Sequence, residues 1–126
     1  MAKELKYTFL IHAVVALLFG APLLIMPGQF LAWFGWAPVD PILSRVLGAA
    51  LLALAWSSYR GWRAKERAQV SVLLEMEAAF TVLGAIGVLR TLLPGNYLGY
   101  VVGFVWLLFA VLALFALAWL YLLFKK

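Results

Sequence analysis

The chain has 126 residues, of which 67% are hydrophobic and only 12% charged, with a formal net charge of +5. That balance excludes a water-soluble domain of this size and makes lipid the solvent for most of the chain. Cysteine is absent, which removes disulfides, thiolate catalysis and Cys-based metal or iron–sulfur sites.

The first long apolar run covers 5–26 and follows the basic start containing Lys3 and Lys6. It resembles a signal peptide, but no small-residue cleavage site follows, so an uncleaved anchor is expected. Pro27 and Gly28 stop it, and Pro22 predicts a kink in its last turn. The next segment, 30–36, is apolar but too short to cross a bilayer. It is expected to lie along the outer interface as one or two helical turns, anchored by Phe30, Trp33, Phe34 and Trp36, or else to contact a partner. A second run covers 41–59, with Pro41 in the first turn, where its missing N–H costs nothing, and with Arg60 and Gly61 marking the end. The third covers 68–93 and is halted by Pro94 and Gly95; the fourth covers 98–124.

A hydrocarbon core about 30 Å thick needs roughly 20 apolar residues per helical crossing, so all four runs suffice. A water-free environment forces each backbone amide to pair within its own segment, and the short alternating strands of a barrel are missing. The expected fold is therefore all-α: a single transmembrane four-helix bundle with an interfacial aromatic segment between the first two spans. Little chain is left for an extramembrane domain, so any chemistry must use intramembrane or interfacial side chains.

Orientation follows from Lys and Arg, which are enriched in cytoplasmic loops. Eight of the ten, Lys3, Lys6, Arg60, Arg63, Lys65, Arg67, Lys125 and Lys126, fall on one side. This predicts a bacterial inner-membrane protein with both termini cytoplasmic. The basic residues flank spans and do not form one patch, so membrane lipids and other membrane subunits, not nucleic acid, are the expected partners. Tyr7, Tyr59, Trp62, Trp119 and Tyr121 are expected in an inner aromatic belt, and Trp33, Trp36, Tyr97 and Tyr100 in an outer one.

Five ionisable residues fall within spans: His12, Arg45, Glu75, Glu77 and Arg90. A charge near the bilayer centre costs about 2.5–3.5 kcal/mol on insertion scales. Glu75 and Glu77, closest to mid-depth, differ by about 200° around a helix and cannot form a carboxylate pair. Glu77 shares its face with Thr81, Gly84 and Val88, whereas Glu75 shares its own with Ser71, Ala79, Val82 and Ile86. Both faces are too polar for lipid alone, so one is expected inside the bundle and the other against another subunit. Hydrogen bonding of a protonated carboxyl to a neighbouring helix, and proton transfer or ligand binding, are the alternatives.

His12 shares a face with Ala16 and Gly20 at a depth that permits a contact with a glutamate. A solitary histidine rules out bis-histidine haem within one chain, leaving a satisfied bundle histidine or a ligand residue. Arg45 leans toward its own helix N-terminus and away from Glu77, so it is expected to reach Asp40, carbonyls of 27–40, or a lipid or substrate headgroup. Arg90 reads as a snorkelling anchor. Gly99 and Gly103 form a GxxxG, and Ser44 with Gly48, and Ala49 with Ala53, repeat small residues that let helices approach. No phosphate loop, catalytic triad or metal cluster is present, and no catalytic residue is assigned.

The stretch Pro27, Gly28, Gln29, Phe30 through Phe34 and Gly35, then Asp40, Pro41, Ser44, Arg45 and Gly48 resembles the small bacterial four-helix membrane proteins of the DoxX-like group. The resemblance implies a membrane subunit beside a quinone-coupled respiratory protein and carries over Arg45 and Gly48 alone. The leading functional expectation is an accessory, non-catalytic subunit of a larger respiratory or photosynthetic membrane complex. No cofactor is expected on this chain alone, although a quinone, pigment or lipid could lie at its surface. A small proton-coupled transporter, or a quinone- or lipid-binding component of an oxidoreductase, is the alternative.

Overall fold

The computed structural model describes residues 1–36, 39–94 and 99–125, with the side chains of 99–101 outside that description. The fold is all-α. Four helices are long and apolar enough to cross a membrane: α1 (Lys3–Ile25), α3 (Pro41–Arg63), α4 (Ser71–Leu92) extended at its start by a 3₁₀ turn (Arg67–Val70), and α5 (Gly99–Phe124). The short helix α2 (Pro27–Ala32) lies between the first two.

Backbone chemistry accounts for the boundaries. Helix α1 continues through Pro22 to Ile25, and the Met26 amide closes it on the Pro22 carbonyl at 2.8 Å. It stops at Met26 (φ −141°, ψ 62°), because the following Pro27 has no N–H to extend the ladder and instead starts α2. The turn after α2 passes through Gly35 at φ 80°, a left-handed conformation that glycine adopts without penalty. Asp40 caps α3, its Oδ1 accepting from the Ile42 amide at 2.9 Å and the Leu43 amide at 3.0 Å, with Pro41 in the first turn.

Helix α3 runs past Arg60 and Gly61, the expected stop, to Arg63. Gly61 is buried against the Phe9 ring, and tertiary contact there outweighs glycine's weak helix propensity. Beyond it, the Gln69 side chain accepts from the Lys65 and Glu66 amides, holding 67–70 in the 3₁₀ turn before α4 begins.

The chain forms two compact units, Met1–Val70 and Ser71–Lys126. In the first, α1 packs antiparallel to α3. Phe9 lies over Gly61, His12 bonds Ser58, Gly20 faces Gly48 and Leu51, and Leu24 bonds Arg45, so positions climb α1 as they descend α3. The closest approach is at Gly48, where a Cβ would stand 2.5 Å from the Leu24 nitrogen and 2.8 Å from the Gly20 carbonyl oxygen. In the second unit α4 packs on α5, with Gly84 beneath Leu112 at ordinary van der Waals distance.

Large apolar side chains project from every long helix: Leu18, Ile42, Leu83 and Leu117 are 64–74% exposed. A water-soluble protein of this size could not carry so much exposed apolar surface, whereas hydrocarbon requires it. The chain is a multi-pass membrane protein with four candidate spans.

Candidate functional site

The intramembrane polar residues fall into three groups. The first is the α1–α3 contact. His12 sits on the α1 stripe with Leu5, Phe9, Ala16, Gly20 and Leu23, all buried, because positions three and four apart share a face. Its Nδ1 lies 2.8 Å from Ser58 Oγ, and both residues are buried. The pair ties the helices by a polar bond where water does not compete. Ser58 was not singled out by the sequence; its signal was a hydroxyl in an apolar run, five residues before the end of one span, with His12 nine residues into its antiparallel neighbour.

The second group is on α4. Glu75 and Glu77 point in opposite directions, as helical geometry requires. Glu77 is fully buried on the face of Leu74, Ala78, Thr81 and Ala85. Thr81, also buried, donates from Oγ1 to the Glu77 carbonyl at 2.8 Å and the Ala78 carbonyl at 3.2 Å, satisfying its hydroxyl locally. Glu75 is exposed, as are Ser71, Ala79 and Ile86 on the same stripe, with Val82 half-buried. Among the described residues, Glu75 makes no hydrogen bond or ion pair. By helical rise it stands about 12–14 Å along the candidate span from Arg67.

The third group surrounds the start of α3. Arg45 is exposed, and its Nε donates to the Leu24 carbonyl oxygen at 3.2 Å. The acceptor therefore lies in the last turn of α1, not in 27–40, and Asp40 is occupied by its capping bonds. Leu24 is among the last four carbonyls of α1, which a helix leaves without an internal partner. Arg90 is also exposed.

The segment between α1 and α3 forms a compact aromatic cluster. Phe30 is buried, edge-on to Phe19 at 6.4 Å, Trp33 at 6.2 Å and Phe34 at 5.4 Å between ring centroids. Trp33 is exposed, and Phe34 and Trp36 are half-buried. Tyr7, Tyr59 and Tyr121 of the expected inner belt are exposed, and Trp62 is half-buried. Trp119 differs: it is fully buried, because Ala116, Trp119 and Leu122 share the buried stripe of α5. Tyr97 lies outside the described residues, as does the Tyr100 side chain.

The expected small-residue contacts divide similarly. Gly48 makes the closest contact in the first unit, whereas Ala49 and Ala53 are exposed and a Cβ on Gly103 would meet nothing. Among the described residues nothing approaches Gly103, which is exposed, so no close helix contact is seen at that position. No group of three or more metal-ligating side chains occurs among the described residues.

No family model matches the chain, and no match is found among curated proteins or solved structures. What the chain's own residues establish is a small all-α membrane protein with four candidate spans, a buried histidine–serine tie, and two glutamates in one span in opposite environments.

Proposed function

We propose that the chain is an accessory, non-catalytic membrane subunit that docks onto a larger respiratory or photosynthetic complex through the exposed face of α4. The observation that carries this reading is Glu75, an acid exposed within a candidate span, with no hydrogen-bond or ion-pair partner among the described residues. Hydrocarbon offers no hydrogen bond, and a polar side chain there is strongly favoured to face protein. Ser71 and Ala79, one turn to either side, are small enough for a second helix to come close. The partner should therefore present a donor, a hydroxyl, an amide or a cation, to the Glu75 carboxyl.

The DoxX-like resemblance around Arg45 and Gly48 supports a respiratory partner. The distribution of Lys and Arg supports the bacterial inner membrane with both termini cytoplasmic. A proton-coupled carrier is the second reading, favoured by Glu77, an acid wholly buried within a span.

Gentle extraction from native membranes, followed by native mass measurement, tests the subunit reading. The wild-type chain and Glu75→Gln should migrate with a larger assembly, and Glu75→Leu should dissociate from it. A lone monodisperse wild-type monomer, or a Glu75→Leu chain that assembles normally, would refute the proposal. Substrate-driven proton flux in liposomes, lost in Glu77→Gln, would establish the carrier in its place.

A further inference from the structure

We propose that Arg45 forms a binding site for the phosphate of an anionic phospholipid headgroup. The argument is independent of the subunit reading and begins with the guanidinium. Arginine presents five N–H donors in a rigid plane. One of them, Nε–H, is committed to the Leu24 carbonyl, which holds that plane against the end of α1. Arg45 is exposed and, among the described residues, has no other hydrogen bond or ion pair, which leaves the four N–H donors of its two Nη groups without a protein acceptor or a balancing acid. Two Nη groups side by side match two oxygens of a phosphate bidentately.

The position on the helix fits a headgroup. Arg45 is the fifth residue of α3, about 6 Å along the axis from Pro41, within snorkelling reach of the interface. The surface below fits the rest of a lipid. Ala49 and Ala53 follow Arg45 at one-turn intervals on the same face, both exposed, and lead to Trp56, also exposed. The larger exposed side chain of Val46 stands beside this track of small residues. An acyl chain can lie along it toward the membrane interior while the phosphate remains at Arg45. A free phosphate would use the guanidinium and none of the apolar track, so the structure favours the lipid as the source.

The whole chain, purified in a neutral detergent, is exposed to phosphatidylglycerol or phosphatidylcholine and bound lipid is counted by native mass spectrometry. Phosphatidylglycerol should be retained in preference to phosphatidylcholine. Arg45→Lys, which keeps the charge but not the planar fork, should bind phosphatidylglycerol about tenfold more weakly, and Arg45→Gln should lose the preference. Arg90→Gln, which removes an exposed arginine from a different span, should leave it unchanged. If Arg45→Gln fails to fold, Arg45→Lys decides alone. Equal retention in wild type and either Arg45 variant would overturn the proposal. Displacement of the lipid by millimolar inorganic phosphate would overturn the lipid assignment in favour of a free-anion site.

Discussion

Replacing Gly48 by alanine tests the packing of the first unit directly. The new Cβ would lie 2.5 Å from the Leu24 nitrogen, 2.8 Å from the Gly20 carbonyl oxygen and 2.9 Å from the Leu23 carbonyl carbon, all backbone atoms. No rotamer relieves such contacts, so α1 and α3 must separate by about 0.9 Å to reach 3.4 Å, where ordinary van der Waals contact begins. Overpacking of this kind costs about 1–3 kcal/mol, and a gap of this size also forfeits a quarter to a half of the dispersion energy of the contacts it opens. Alanine's better helix propensity returns at most about 1 kcal/mol. The net loss should be about 1–2 kcal/mol, a factor of roughly 5–30 in the folded-to-unfolded ratio. Unfolding in mixed micelles, titrated with a denaturing detergent and followed by circular dichroism, measures it. Gly20→Ala, whose nearest atoms would lie at 3.0–3.1 Å and include two leucine side chains, should cost less, and Gly103→Ala, with nothing within 4 Å, should cost nothing measurable. A Gly48→Ala protein no less stable than Gly103→Ala would refute the close-approach account.

Three further outcomes are expected. A double-mutant cycle on His12→Ala and Ser58→Ala should give a coupling of about 0.5–1.5 kcal/mol by the same titration; additive losses would mean that the 2.8 Å contact contributes nothing. Asp40→Ala should destabilise the start of α3 by about 1 kcal/mol and speed amide exchange at Ile42 and Leu43, whereas Asp40→Asn should behave nearly as wild type. The natural absence of cysteine allows single-cysteine topology mapping. In intact cells an impermeant thiol reagent should label Gln29→Cys and spare Glu66→Cys, and the reverse pattern would invert the proposed orientation.

The four spans were legible because length and apolarity alone decide them, and the aromatic segment after Pro27 because a proline followed by a run too short to cross leaves few options. The opposed directions of Glu75 and Glu77 were equally legible, since two residues of helix fix the angle between them whatever packs nearby. Which acid would be buried was not, because that depends on which face α4 turns to its neighbours. The end of α3 was misplaced for a similar reason: Arg60 and Gly61 read as a stop, but Gly61 is held in the helix by the ring of Phe9, a residue some fifty positions earlier. The amphipathic habit of tryptophan puts Trp119 in a belt, and its buried stripe with Ala116 and Leu122 overrides that habit. The outward lean of Arg45 followed from side-chain direction on a helix, while its acceptor required knowing that α1 ends beside it.

The ties between α1 and α3 are spread along the whole length of the pair: a ring over a glycine near one end, a histidine–serine bond, a backbone contact at Gly48, and an arginine on a carbonyl near the other. Sliding one helix past the other by a single turn, about 5.4 Å, would break all four together, and no second set of matching residues waits one turn away. The pair therefore behaves as a strut and not as a piston. Any signal or strain crossing the membrane through this half of the protein must pass as tilt or displacement of the two helices together.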